Sequence, residues 1–124
     1  MIPDDLRYTD QHEWIRPGDQ AVVGISEHAQ KSLGDLTFIE LPNVGATLKK
    51  GDEACAVESC KAAASIYAPV SGKVVAVNEA LNDEPGLVNT DCYGEGWIFK
   101  IAPSDPAEIE TLLTPEKYRE LLGE

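Results

Sequence analysis

Residues 56–77 read AVESCKAAASIYAPVSGKVVAV. Runs that read as β-strand flank a polar stretch holding Cys60 and Lys61, and the Pro-Val-Ser-Gly turn leads into a further run, GKVVAV. Short apolar runs bounded by glycine and proline mark strands joined by tight turns. If EACAVE and SIYA are adjacent antiparallel strands, SCKAAA is their connection and Lys61 stands at or beside the exposed tip. A lysine in that position has little to pair with. It is either a solvated charge without chemical consequence or a primary amine held away from the body for covalent attachment of a carrier arm.

The same punctuation extends in both directions. EWI and QAVVGI flank RPGD and read as a first hairpin. Ser26 then caps about two helical turns over EHAQKSL, and Gly34 supplies the stop. LTFIEL reads as a strand ended by Pro42, and GATL, EACAVE, SIYA, GKVVAV, GLVN and GWIFKI follow as short strands. KKGD, PVSG, NDEPG and YGEG separate them, a pattern that argues for a sandwich or flattened barrel. The tail changes period. SDPAEIETLL has Asp105 as N-cap and Pro106 at the first helical position, and TPEKYRELLG repeats the arrangement with Thr114, Pro115 and Gly123. These two short helices are expected on the sheet edge through Ile109, Leu112, Leu113, Tyr118, Leu121 and Leu122.

A chain of 124 residues, 43% of them hydrophobic, suits one compact domain, taken as residues 1–124. No apolar run is long enough to span a membrane, and the opening MIPDDLRYTD lacks the basic and apolar regions of a secretory signal, so the expected compartment is the cytoplasm. Twenty-two acidic residues against 10 basic ones give a formal net charge of -12. That surface repels nucleic-acid phosphates and anionic lipid, and it suits protein partners with basic docking faces. Three cysteines, Cys55, Cys60 and Cys92, read as thiols rather than a disulfide framework. Without a C-x-x-C pair, and with candidate ligands scattered, no metal site is expected. No G-x-S-x-G, H-E-x-x-H or P-loop is present, and neither histidine has a catalytic context.

The ordered set YTDQHEWI, GISEHAQKSLGDLTFIELPNVG, KKGDEACAVESCKA, YAPVSGKVVAVNEAL, PGLVN and YGEGWIFKI resembles the H proteins of the glycine cleavage system, within the biotinyl and lipoyl carrier domains. The resemblance implies a mainly β, hybrid β-sandwich with a short internal helix and two short C-terminal helices. It implies lipoic acid joined to Lys61 through an amide, and a carrier rather than an enzyme. Acylation removes the lysine charge and places a dithiolane far from the body, where the protein supplies position and docking and the cofactor supplies reactivity. The implied partners are a lipoate-attaching enzyme, a pyridoxal-phosphate decarboxylase, an aminomethyltransferase and dihydrolipoamide dehydrogenase.

The departures from the family pattern bear on the cargo. Where such H proteins resemble ESVKAxSD, this chain has Cys60 for the valine, Ala64 for the serine and Ser65 for the aspartate. The resemblance places that aspartate around an aminomethylated arm, with a glutamate and a serine of a SHEW segment. Glu13 matches the glutamate, whereas Gln11 replaces the serine. Losing a carboxylate weakens the shelter of a cationic amine. Cys92 stands where the family commonly has proline. Added sulfur and a lost anion together resemble the lipoate-binding proteins linked to heterodisulfide-reductase-like sulfur oxidation. The expectation from that branch is a sulfur cargo and a heterodisulfide-reductase-like partner complex, with an aminomethyl cargo as the alternative. A thiol enzyme using Cys60 as nucleophile is a further alternative. Cys55, Trp14 and Trp97 read as core, and His12 and His28 as solvated or hydrogen-bonded. Glu58 is either a recognition residue for the attaching enzyme or a solvated carboxylate.

Overall fold

The structure, a computed structural model, describes residues 2–123; the first and last positions of the expected 1–124 domain lie outside the described residues. In chain order the elements are β1 (Arg7–Tyr8), β2 (Glu13–Arg16), β3 (Ala21–Ile25), α1 (Glu27–Leu33), β4 (Leu36–Glu40), β5 (Thr47–Leu48) and β6 (Glu53–Ser59). They continue with β7 (Ala63–Tyr67), β8 (Gly72–Val77), α2 (Ala80–Asp83), α3 (Leu87–Thr90), β9 (Phe99–Pro103), α4 (Ala107–Glu110) and α5 (Pro115–Leu122). Two antiparallel sheets face one another without closing into a barrel. One has six strands in the order β1-β2-β3-β9-β8-β5, and the other three in the order β4-β6-β7.

Side-chain alternation assigns each strand its face. In β6, Cys55 and Val57 turn into the core while Glu58 faces outward. Opposite Val57, Ala64 of β7 continues the inner row, and Ile66 beside it is buried. Ile15, Val23, Ile25, Ile39, Val74, Phe99 and Ile101 complete the core between the sheets. Each such fully buried aliphatic side chain contributes about 1.5–3 kcal/mol. On β2 the neighbour of Ile15 points the other way: Trp14 joins Leu6, Tyr8 and Tyr118 in a second apolar cluster beneath α5. Gly24 lies opposite Trp14, and a Cβ there would sit 2.6 Å from the indole, so the ring occupies the space that a side chain would need.

The caps behave as composition dictates at two helices. Ser26 accepts from the Ala29 amide and Thr114 from the Lys117 amide, satisfying donors of the first turn. Gly123 ends α5 in the left-handed region.

Four expectations need correction. GLVN is helix α3 rather than a strand. Asn89 explains it: its carbonyl oxygen accepts from Leu36 N at 2.9 Å while its amide donates to Gly34 O at 2.8 Å, contacts that brace the corner between α1 and β4. The NDEPG turn is partly helical, because Leu81 of α2 is fully buried. Helix α4 starts at Ala107, one residue after the expected Pro106, since the Asp105 carboxylate accepts from Ala107 N at 3.1 Å in a preceding turn. Leu121 is half exposed rather than packed, whereas Tyr118 is fully buried.

Candidate functional site

Strands β6 and β7 pair from Glu53 to Tyr67, with Glu58 opposite Ala63 at the end of the ladder. Beyond it the chain turns through Cys60, Lys61 and Ala62. The Ser59 hydroxyl shapes this tip: its oxygen accepts from the amides of Lys61 at 3.3 Å and Ala62 at 3.0 Å, and Ser59 N donates to Ala62 O at 2.8 Å. Lys61 and Cys60 are both exposed. The lysine stem nevertheless has a seat. Gly34, at φ 81°, leaves open the space where a Cβ would stand 3.0 Å from Lys61 Cε and 3.7 Å from Nζ. The Lys61 amine therefore lies beside the C-terminal end of α1, over a space that a side chain at Gly34 would fill.

A cleft of about 270 Å³ lies between α1 and β7, reaching Leu33, the residue before Gly34. Its walls include Gln11 and His12 from the turn before β2, Glu13 at the start of β2, His28 and Ser32 from α1, and Ser65 from β7. Glu13 is buried, with Oε1 accepting from Thr9 at 2.6 Å and Oε2 accepting from Tyr67 N at 3.1 Å, so it also caps the free edge of β7. Burial raises its pKa, and the two hydrogen bonds pull in the opposite direction. His12 has the one positive φ among described non-glycine residues, at 70°. Its ring lies 4.4 Å from that of His28, and its Nδ1 is 2.8 Å from the Tyr118 hydroxyl. Desolvation, then the neighbouring His28, lowers the His12 pKa, while Asp10 acts to raise it.

The residues singled out from sequence separate into groups. Lys61 and Cys60 share the hairpin tip, Glu58 stands outward one ladder position below it, and Glu13 and Ser65 line the cleft. Cys92 does not line the cleft. It is buried, its carbonyl accepts from Trp14 Nε1 at 3.0 Å, and burial pushes its thiol up to about 11. Cys55 is buried in the core. Trp97 is only partly buried, while Trp14 is fully so. Sequence reasoning missed Gly34, Ser32, Asn89 and the histidine pair as parts of the site. Only the Gly34 stop carried a signal, because α1 and β7 meet through tertiary packing.

A sandwich that displays one lysine at a hairpin tip above a lined cleft has the form of a covalent carrier domain, built to present an arm. The sequence matches the family described as Glycine cleavage H-protein over residues 6–124. It is 54% identical to a glycine cleavage system H protein of Shewanella sp. (strain ANA-3), covering 99% of this chain and 97% of that protein. It is 56% identical to the glycine cleavage system H protein of Alteromonas mediterranea over the same shares. The crystal structure of a glycine cleavage system H protein from Mycobacterium marinum superposes with a TM-score of 0.91 at 41% identity, covering 99% of this chain and 100% of that one. The chain belongs to the glycine cleavage H-protein family. Proteins of this family carry lipoic acid covalently on a lysine and serve partner enzymes without catalysing a reaction themselves.

Proposed function

We propose that Lys61 is the lipoylated residue and that the arm carries an aminomethyl cargo between the enzymes of glycine cleavage. The observation that supports this most directly is the seat of the Lys61 stem over Gly34, beside a cleft containing the buried Glu13. When attached, the lipoyl group supplies a thiol that holds cargo and a second that can close the disulfide. The chain's own residues do the rest. The hairpin presents the amine, and the wall of α1 gives the arm a resting place out of water. Glu13 offers its carboxylate to a cationic amine, and Ser65 and Gln11 offer neutral polar groups in place of a second carboxylate.

The sulfur cargo expected from Cys60, Cys92 and Ser65 is not carried forward. Cys92 is buried outside the cleft with a raised pKa, so it is a poor exchange partner. The full-length relatives are glycine cleavage proteins, which favours the decarboxylase, the aminomethyltransferase and dihydrolipoamide dehydrogenase as partners over a heterodisulfide-reductase-like complex. Glu58, exposed near the tip, is read as part of the surface met by the attaching enzyme. Residues 1–124 are taken as one domain because the second apolar cluster joins Leu6 and Tyr8 to Tyr118 near the other end of the chain. Among the described residues no helix is long and apolar enough to cross a membrane. With free thiols at Cys55, Cys60 and Cys92, the reading places the carrier in the reducing cytoplasm.

Peptide mapping of protein from lipoate-supplied cells tests the attachment. One lipoyl increment is expected on Lys61, lost in Lys61→Arg while the unfolding midpoint holds, because guanidinium keeps the charge but is no acyl acceptor. Exchange of glycine carbon with bicarbonate, in the presence of the pyridoxal-phosphate decarboxylase, tests the cargo. A lipoylated protein that supports no exchange overturns the aminomethyl reading.

A further inference from the structure

Simple alternation from the buried Leu36 at the start of β4 would turn Phe38 into the core. The chain does the opposite. A register irregularity between Leu36 and Phe38 sets both Thr37 and Phe38 outward, and the inward row resumes at Ile39. Bulges occur at sheet edges, where they re-aim a side chain, and β4 is an edge strand. Phe38 is left 52% exposed, the most exposed of the phenylalanine, tyrosine and tryptophan rings among the described residues. It pairs with Glu58, which pairs in turn with Ala63 at the last rung before the Lys61 tip. The three strands of this sheet hold Glu40, Glu53 and Glu58 and no basic residue, and Asp35, just before β4, is exposed as well. The lysine stem leans to the same flank. Gly34, which it lies against, stands four residues before Phe38, so at most ~14 Å of chain separates the two Cα atoms.

We propose that Phe38, turned out by the β4 bulge and bordered by Glu40 and Glu58, is the apolar anchor on which the lipoate-attaching enzyme docks, received there in an apolar notch with a basic rim. The inference rests on Lys61 as the lipoylated residue. Reach singles out this occupant. The attaching enzyme must bring its reactive centre to Nζ itself, at the end of a four-carbon stem, whereas later enzymes meet the far end of a long arm and need not approach the strands. A specific interface covers ~800 Å² on each partner, a disc about 16 Å in radius, and around Nζ a patch of that size extends over the start of β4. Within such a patch an aromatic anchor carries most of the affinity, while the surrounding charges set orientation and encounter rate. An acidic border suits a basic partner and repels a second copy of this acidic chain. Once docked, Nζ bonds to the carbonyl carbon of an activated lipoyl group, the bond to the activating group breaks and the amine gives up its proton, with no oxidation or reduction.

The test uses the full chain prepared without lipoate, and initial rates of its lipoylation by a purified attaching enzyme, read by intact mass. Phe38→Ala should raise KM for the chain roughly five- to thirtyfold with kcat held, the range of an aromatic anchor, and Phe38→Leu should recover most of that loss. Val44→Ala and Leu121→Ala truncate the other exposed large apolar side chains among the described residues and should leave KM where it is. Glu40→Lys should raise KM and flatten its increase with ionic strength. On the wild type, ring signals of Phe38 in nuclear magnetic resonance should shift on titration with the enzyme, without lipoate, while the Val44 methyl signals stay in place. Unmoved Phe38 signals overturn the proposal and need no variant. An unchanged KM in a folded Phe38→Ala does so too, and a KM indifferent to both salt and Glu40→Lys removes the basic rim and the proposal with it. Normal lipoylation of Phe38→Ala with failure in glycine–bicarbonate exchange gives the face to an enzyme that reads the arm, and self-association of the wild type lost in Phe38→Ala gives it to a second copy; either result overturns the proposal. A wild type that takes no lipoyl group on Lys61, from an enzyme active on another acceptor, sinks the Lys61 reading itself, whereas normal lipoylation indifferent to Phe38 sinks this inference alone.

Discussion

At the scale of single residues, Glu13 and the cysteines carry the sharpest expectations. Burial holds the Glu13 pKa above the ordinary value near 4.5. A carboxyl group raised in the folded state contributes stability that is fully present below its unfolded pKa and is lost as pH rises through the folded one. Glu13→Gln, whose amide can still accept from Tyr67 N and donate to Thr9, is therefore expected to flatten the fall in stability above about pH 4.5. Urea midpoints taken across that range would show it, and an unchanged slope would mean that Glu13 is not the titrating group. The thiols sort by access. Iodoacetamide on the native protein should label Cys60 far ahead of Cys55 and Cys92, which are buried with thiols pushed up to about 12 and about 11. Peptide mapping reads the result, and early labelling of Cys92 would reopen it as an exchange partner.

At the scale of elements, the β6–β7 hairpin and α5 carry distinct loads. The Ser59 hydroxyl binds the amides of Lys61 and Ala62 and donates to Ala62 O at 3.2 Å, so it orders the tip without touching the core. Ser59→Ala should accelerate amide exchange at Lys61 and Ala62 and lower global stability by no more than about 1 kcal/mol. Equal protection in mutant and wild type would show that the ladder alone orders the turn. In α5 the Thr114 cap is the testable part. Thr114→Ala should cost about 1 kcal/mol in chemical denaturation, because Lys117 N loses its acceptor. Both elements could be read in the sequence, one from its turn and one from the Thr-Pro start. Helix α3 could not, since GLVN has strand-like composition and becomes helical through what Asn89 binds across the fold.

At the scale of the whole molecule, a net charge of -12 on 124 residues makes self-repulsion a standing cost. Raising ionic strength from about 0.01 M to 0.15 M shortens the screening length from ~30 Å to ~8 Å, so the thermal midpoint should rise. A midpoint that falls would place the balance with the attractive pairs Arg119–Asp4 and Lys31–Glu27.

By itself the sequence determined the strand and turn punctuation, the caps at Ser26 and Thr114 and the exposed lysine between two strands. These depend on neighbours within a few positions, where backbone preference and side-chain alternation act directly. Its longer motifs also carried the family resemblance. Tertiary structure alone decided that Gly34 would lie beneath the Lys61 stem, that α1 and β7 would enclose a cleft, and that Cys92 would be buried away from it. It also decided that Tyr118 would meet His12 across 106 positions of chain. Such contacts arise from packing two sheets and a helix around shared apolar rows, and no local signal in the chain specifies which distant side chains those rows bring together.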